Sequence, residues 1–327
     1  RFILLITIFP FFCLSQNNNY NNFSDDLFLM FYNVENLFDT VDSPNNIDNE
    51  FLPNSSKKWN SHKYFYKLEQ LDKVFLSMIK DNNNFFPDII GLCEVENRFV
   101  IEDLLSSSSF KGHNYTIVHR DSPDRRGIDC ALLFSSRFQL LHKDFITIDN
   151  PDQNSKTRDI VFVKLKYRNY IMNIFINHWP SRWGGQEKSN HKRVYASKVL
   201  GEYIKSNTSD DEFNIIMGDF NDYPTNESIS KLIVDNNFIN LMTSEFVTGK
   251  GSYNYKGKWN WLDQILISEN FNNPSIKLIS SGSFSRTFML YKNKNGEGIP
   301  SRTFGGDNWY GGFSDHLPVY FKFNFTN

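Results

Sequence analysis

The sequence predicts an α+β fold in which two β-sheets pack face to face with helices on their outer sides. Three observations carry that expectation. Short apolar segments of strand character recur along the chain, a few longer stretches repeat apolar residues at helical spacing, and neither an internal repeat nor a Pro/Gly-rich hinge divides them. The chain has 327 residues, 40% of them hydrophobic, with 32 Phe and 15 Tyr, which is enough for a sizeable core in one domain over residues 27–325.

Taken in order, the chain opens with Arg1, an apolar run to Phe12, and small residues at Cys13 and Ser15. This pattern predicts a secretory signal peptide over 1–15, and hence a secreted or periplasmic protein. The polar Asn17-Asn18-Asn19 ends the run well short of the roughly 20 apolar residues that a membrane span needs. No later segment is long and apolar enough to span once the signal is removed, and the Asn-rich residues 16–26 read as a linker. Strands are expected over 27–34, 88–93, 115–119, 129–134, 160–166, 170–177, 213–217, 262–267 and 317–323. Helices are expected over 63–80, where Leu68, Leu71, Phe75, Met78 and Ile79 share a face, over 187–205 and over 227–234.

Charge is nearly balanced, with a net −2 and a pI near 6.4, which argues against a protein that coats DNA non-specifically. A locally basic cleft remains compatible with that balance. Beyond the signal, Cys93 and Cys130 each sit in an apolar run and read as buried free thiols rather than a disulfide or a zinc site.

Polar residues gather at the strand ends, where a rigid scaffold presents reactive groups. Asn33-Val34-Glu35-Asn36 follows the first strand, and Glu94-Val95-Glu96-Asn97 follows the second. Asn177-His178 and Gly218-Asp219-Phe220-Asn221 close two later strands, Asp263 is embedded in an apolar strand, and Ser314-Asp315-His316 precedes the last. A hard cation such as Mg²⁺ takes carboxylate oxygens. Phosphoester hydrolysis needs a positioned water, a base and charge stabilisation, and a His-Asp pair meets the second need. Each motif alone reads as a solvated acid, a helix cap or a structural histidine; the set in this order is far more specific.

That ordered set resembles the endonuclease/exonuclease/phosphatase superfamily, which includes DNase I-like nucleases, abasic-site endonucleases, sphingomyelinases and inositol-polyphosphate phosphatases. The resemblance runs from about residue 28 to residue 323. It implies a four-layer DNase I-like fold of two mainly antiparallel sheets flanked by helices, and an Mg²⁺-dependent phosphoesterase, with Mn²⁺ or Ca²⁺ as alternative ions. By the same resemblance Glu35, Glu94 and Asp315 belong to the metal site. Asp219 and Asn221 orient nucleophile and phosphate, Asp263 pairs with the general base His316, and Asn33 contacts substrate. His178 matches the second histidine of the DNase I-like branch, with Asp129 as its expected carboxylate partner.

Basic residues beside these motifs, Arg126, Arg182 and Arg193, are expected to clamp substrate phosphates. The aromatic loop 304–312 offers rings for stacking. Secretion, paired histidines and a basic loop together favour an endonuclease acting on nucleic acid, with no stable protein partner implied. The alternatives are a sphingomyelinase-like or inositol-phosphate phosphoesterase, the former wanting an apolar hairpin for which 283–291 is the candidate. A catalytically inactive binding module is the alternative of another class, and it would be expected to lack one of the motif residues.

Overall fold

The structure, a computed structural model, describes residues 25–149, 156–244 and 247–326. The expected signal peptide and most of the expected linker lie outside those residues. Asp26, expected at the end of the linker, already pairs with Asn324 as the first strand residue.

The first sheet is built from β1 (Asp26–Leu37), β2 (Ile89–Val95), β3 (Tyr115–His119) and β4 (Asp129–Ser135). The second begins with β5 (Gln139–Ile146), β6 (Ile160–Tyr167), β7 (Tyr170–His178), β8 (Phe213–Asp219) and β9 (Phe238–Asn240). The short β10 (Val247–Thr248), a ribbon of β11 (Tyr253–Tyr255) and β12 (Lys258–Asn260), then β13 (Asp263–Ser268) and β14 (Ile276–Ser283) follow. Two further ribbons, β15 (Leu290–Lys292) with β16 (Gly298–Pro300) and β17 (Phe304–Gly305) with β18 (Asn308–Trp309), precede β19 (Val319–Phe325). The sheets run β10-β14-β19-β1-β2-β4-β3 and β5-β6-β7-β8-β13-β9. Within them β1/β2, β7/β8 and β10/β14 are parallel and the other pairs antiparallel.

The layering follows from the period-two geometry of a strand. In β1, Leu27, Leu29 and Phe31 point into the core between the sheets, while Phe28, Met30 and Tyr32 face the opposite way. That outer face is covered by α1 (Ser61–Asp81) and α2 (Arg98–Leu105). On the far side, α3 (Gln186–Asn207) and α4 (Glu227–Asn236) cover the second sheet through Leu200, Ile204 and Ile229. The result is the expected helix–sheet–sheet–helix sandwich. The sheets approach closely at Gly91, where a Cβ would fall 2.6 Å from Ile176 Cδ1. Cys93 and Cys130 are buried free thiols directly opposite each other on β2 and β4.

Four sheet strands escaped the sequence reading, the two- and three-residue β10 and β9 and the longer β5 and β14. β5 and β14 lie at or near a sheet edge, and their sequences QLLHKDFI and IKLISSGS mix polar residues into faces that are largely solvated. The period-two apolar signal is therefore absent from both. The short α2 was missed because Asn97, read only as part of a strand-end motif, caps it by accepting the Val100 amide.

Candidate active site

The parallel pairs β1/β2 and β7/β8 end at the same side of the sandwich, so motifs from both sheets meet there. Backbone conformation turns the functional side chains inward. Glu35, Glu94 and Asn221 take left-handed φ values of 51°, 61° and 51°, which non-glycine residues rarely adopt. In Gly218-Asp219-Phe220-Asn221 the glycine is obligatory, because a Cβ would lie 2.4 Å from the Asn177 carbonyl on the adjacent strand.

A connected network spans the cleft. Asn33 Nδ2 donates to Glu94 Oε1 at 3.1 Å and to Asp219 Oδ2 at 3.0 Å, joining the two sheets. His316 Nδ1 lies 2.6 Å from Asp263 Oδ2, and its Nε2 points toward Asp219 Oδ2 at 3.8 Å. The Asn221 amide donates to Asp219 Oδ1 at 2.9 Å, and Asn221 Nδ2 donates to the Trp179 carbonyl. Ser314 Oγ donates to the Asn33 carbonyl and accepts the His316 amide, which sets the loop before β19 against β1.

The two histidines have opposite electrostatic surroundings. Burial disfavours a charged His316, but Asp263 and Asp219 outweigh it and hold the ring's pKa well above the usual histidine value. Burial, Arg158, Arg126 and His316 all push His178 well below it. His178 Nε2 faces Asp219 at 3.7 Å and Glu94 at 3.8 Å, while its buried Nδ1 has no hydrogen-bond partner.

The carboxylates expected to hold a cation form a second group beside this network. Glu35 is raised to about 7 by burial and by Asp315. Glu94 is raised by the same two causes. Asp315 disfavours the ionised form of both Glu35 and Glu94, and carboxylate oxygens of this kind are the donors that a hard divalent cation takes. Among the described residues, the groups whose atoms lie close enough together to share an ion are Asp219 with Asp263 and His316, and His119 with Asp121 and Asp129. In the first of these, Asp263 is already committed to the imidazole.

Three expectations need correction. Asp129 faces His119 Nε2 at 3.4 Å and accepts the Ser122 amide, so its ring partner is His119 and not His178. Arg193 is no phosphate clamp: it is fully buried, ion-paired to Asp222 at 2.8 Å and bonded to the Pro180 carbonyl and Ser189 Oγ. Arg182 is likewise engaged internally with the Asn221 carbonyl, Asp222 and Asn226, and it stacks on Tyr223. Helix and loop packing consumed both guanidinium groups, which residue type alone does not reveal. Arg126 differs, for its side chain is 55% exposed and its charge acts on both Glu94 and His178.

Several neighbours carried no signal in the sequence. Arg302 pairs with Asp315 and approaches Glu35 at 3.7 Å. The Thr303 amide donates to Glu35 Oε2 at 2.7 Å. Arg158 is buried behind His178 and binds Asp124 and the Trp179 carbonyl. The 304–312 loop is largely anchored: Phe304 is buried and Trp309 packs on His62 and Tyr66, leaving Tyr310 exposed. In 283–291, Phe284 and Met289 are buried, so this stretch is not a free apolar hairpin.

A buried His-Asp pair beside clustered carboxylates at the joined edges of two sheets defines a phosphoesterase with candidate metal-binding groups. The chain belongs to the endonuclease/exonuclease/phosphatase family, whose model matches residues 28–324. Solved structures with the same fold include a mannosyl-6-phosphatase of Bacteroides thetaiotaomicron, 16% identical, with a TM-score of 0.60 over 91% of this chain and 100% of that one. An endonuclease/exonuclease/phosphatase family protein of the same organism is 16% identical, with a TM-score of 0.59 over 91% of this chain and 97% of that one. D. rerio TDP2 complexed with single strand DNA product is 14% identical, with a TM-score of 0.58 over 92% and 100%. No curated protein matches the chain by sequence.

Proposed function

We propose that the protein hydrolyses a compact, anionic phosphoester with the help of a divalent cation held by Glu35, Glu94 and Asp315. The link Asp263–His316–Asp219–Asn33–Glu94 supports this reading, because it joins a proton-handling pair to one of the proposed cation ligands across the two sheets. When bound, the cation supplies positive charge to the phosphoryl oxygens and to the departing oxygen. Asp263 fixes the His316 ring and leaves Nε2 facing the reacting phosphorus. In the resting site that ring is an imidazolium. With the negative charge of its carboxylate neighbours offset by a bound cation, it would release its Nε2 proton to solvent and then, as the neutral base, accept the proton of the attacking water. Asn221 and Asn33 fix Asp219 through opposite oxygens, so that Asp219 can orient the attacking water. Neutral His178 contributes a second hydrogen-bond donor without a second charge.

Substrate size is argued from the adjoining cavity. It holds about 380 Å³ and is lined by Glu35, Arg126, Arg302, Lys57, Phe51 and Phe304, which suits a sugar-sized alcohol with anionic character. With Arg182 and Arg193 committed internally, the basic track expected for a long nucleic acid is reduced. Cleavage of a nucleic-acid strand is the second reading, favoured by the exposed rings of Trp183 and Tyr310, which suit base stacking. Residues 1–15 support export as the setting, which N-terminal sequencing of fractionated material would test.

The deciding experiment assays sugar phosphates, inositol phosphates, sphingomyelin, single-stranded DNA and RNA in parallel, each with Mg²⁺ or with EDTA. Turnover of a small phosphoester that EDTA abolishes is the expected result. Turnover of DNA or RNA alone establishes the second reading, and EDTA-resistant turnover removes the cation from the mechanism.

A further inference from the structure

Lys67 lies within the helix expected over 63–80 and is only 1% exposed. Its ammonium donates to Thr303 Oγ1 and to the Phe313 carbonyl, both at 2.6 Å. One turn on, Gln70 Nε2 donates to the Gly311 carbonyl at 3.0 Å. One face of α1 thus grips the segment 303–313 that leads into Asp315 and His316. The grip reaches the acidic cluster directly, because Thr303 accepts from Lys67 through its hydroxyl while its amide donates to Glu35.

Both hydrogen-bond partners of this ammonium are neutral oxygens. An ammonium buried without a compensating charge costs several kcal/mol or loses its proton. The charges that favour it are Glu35, Asp315 and Glu94, the three expected cation ligands. The coupling is mutual, since Lys67 in turn favours the ionised form of Glu35.

We propose that Lys67 is a positioning residue of the cation site: its hydrogen bonds hold 303–313 against Glu35, and its buried charge offsets the three carboxylates and so limits how tightly they bind a divalent cation. This rests on the cation reading above. A merely structural lysine would only weaken the site when replaced; a charge that opposes the cation must strengthen binding when it is removed with its hydrogen bonds preserved.

Calorimetric titration of Mn²⁺ at pH 7 separates these cases, because burial lowers Lys67 only to about 8 and it still carries its proton there. Wild type is expected to bind and Glu94→Gln to lose that binding. Lys67→Gln, which keeps a donor group but not the charge, is expected to bind Mn²⁺ about tenfold more tightly. Lys67→Arg, which keeps the charge, is the arm that stands if the glutamine variant fails to fold, and its affinity is expected to equal or fall below wild type. Unchanged or weaker binding by Lys67→Gln, or tighter binding by Lys67→Arg, overturns the proposal and leaves the cation reading intact. Wild type without Mn²⁺ affinity overturns both.

Discussion

The two histidine walls of the cleft come from similar short motifs and are put to opposite uses. His316 stands before β19 with the carboxylates of Asp263, Asp219 and Asp315 within 4.0 Å of its ring nitrogens, and they keep it charged against the effect of burial. His178 ends β7 with arginines behind it and an unpartnered Nδ1, and burial keeps it neutral. Environments that drive two titratable groups apart in this way assign them different work. In the proposed mechanism the charged ring exchanges protons and the neutral ring donates a hydrogen bond. Neither Asn177-His178 nor Asp315-His316 announces which is which.

The largest effect should come from breaking the His316 wall. His316→Ala or Asp263→Asn is expected to lower kcat about 10²–10⁴-fold while Mn²⁺ binding by calorimetry is retained. Loss of the cation with the imidazole would instead make the ring a ligand. His178→Gln should cost less, about 10²-fold in kcat, as removal of a single donor does. Equal losses in the two variants would show that the rings share one role, and the contrast would collapse.

A second contrast separates two arginines that looked alike in the sequence. Arg193→Met removes the fully buried partner of Asp222, leaving it only Arg182 and Ser228, and it should cost about 3 kcal/mol in a denaturant titration. Arg126→Met should leave that titration within about 0.5 kcal/mol of wild type, as surface changes do. Its expected effect is on KM for the preferred phosphoester, raised about tenfold by loss of a charge-assisted contact. A large stability loss at Arg126, or none at Arg193, would reverse the assignment.

The sandwich was legible because its central strands are buried on both faces. The 27–34 segment alternates residues for two different cores, and the expected helices show a clear apolar face in α1. Edge strands such as β5 were illegible because solvent, rather than a core, faces much of their length. At the site, carboxylates and histidines at strand ends were visible because phosphoester chemistry requires those groups there. Their pairing was not: the resemblance pointed to Asp129 as the partner of His178, whereas the sheet aligns β3 with β4 and sets His119 opposite Ala131, two residues from Asp129.

What this sequence determines by itself is local: which segments form strands, and which acids and imidazoles lie at their ends. Tertiary structure alone decided which arginines remain free, which histidine is charged, and that a lysine on α1 lies beneath the acidic cluster. Charge state and hydrogen-bond commitment depend on groups far apart in the chain, 236 residues apart for Lys67 and Thr303, and no local pattern encodes their distance.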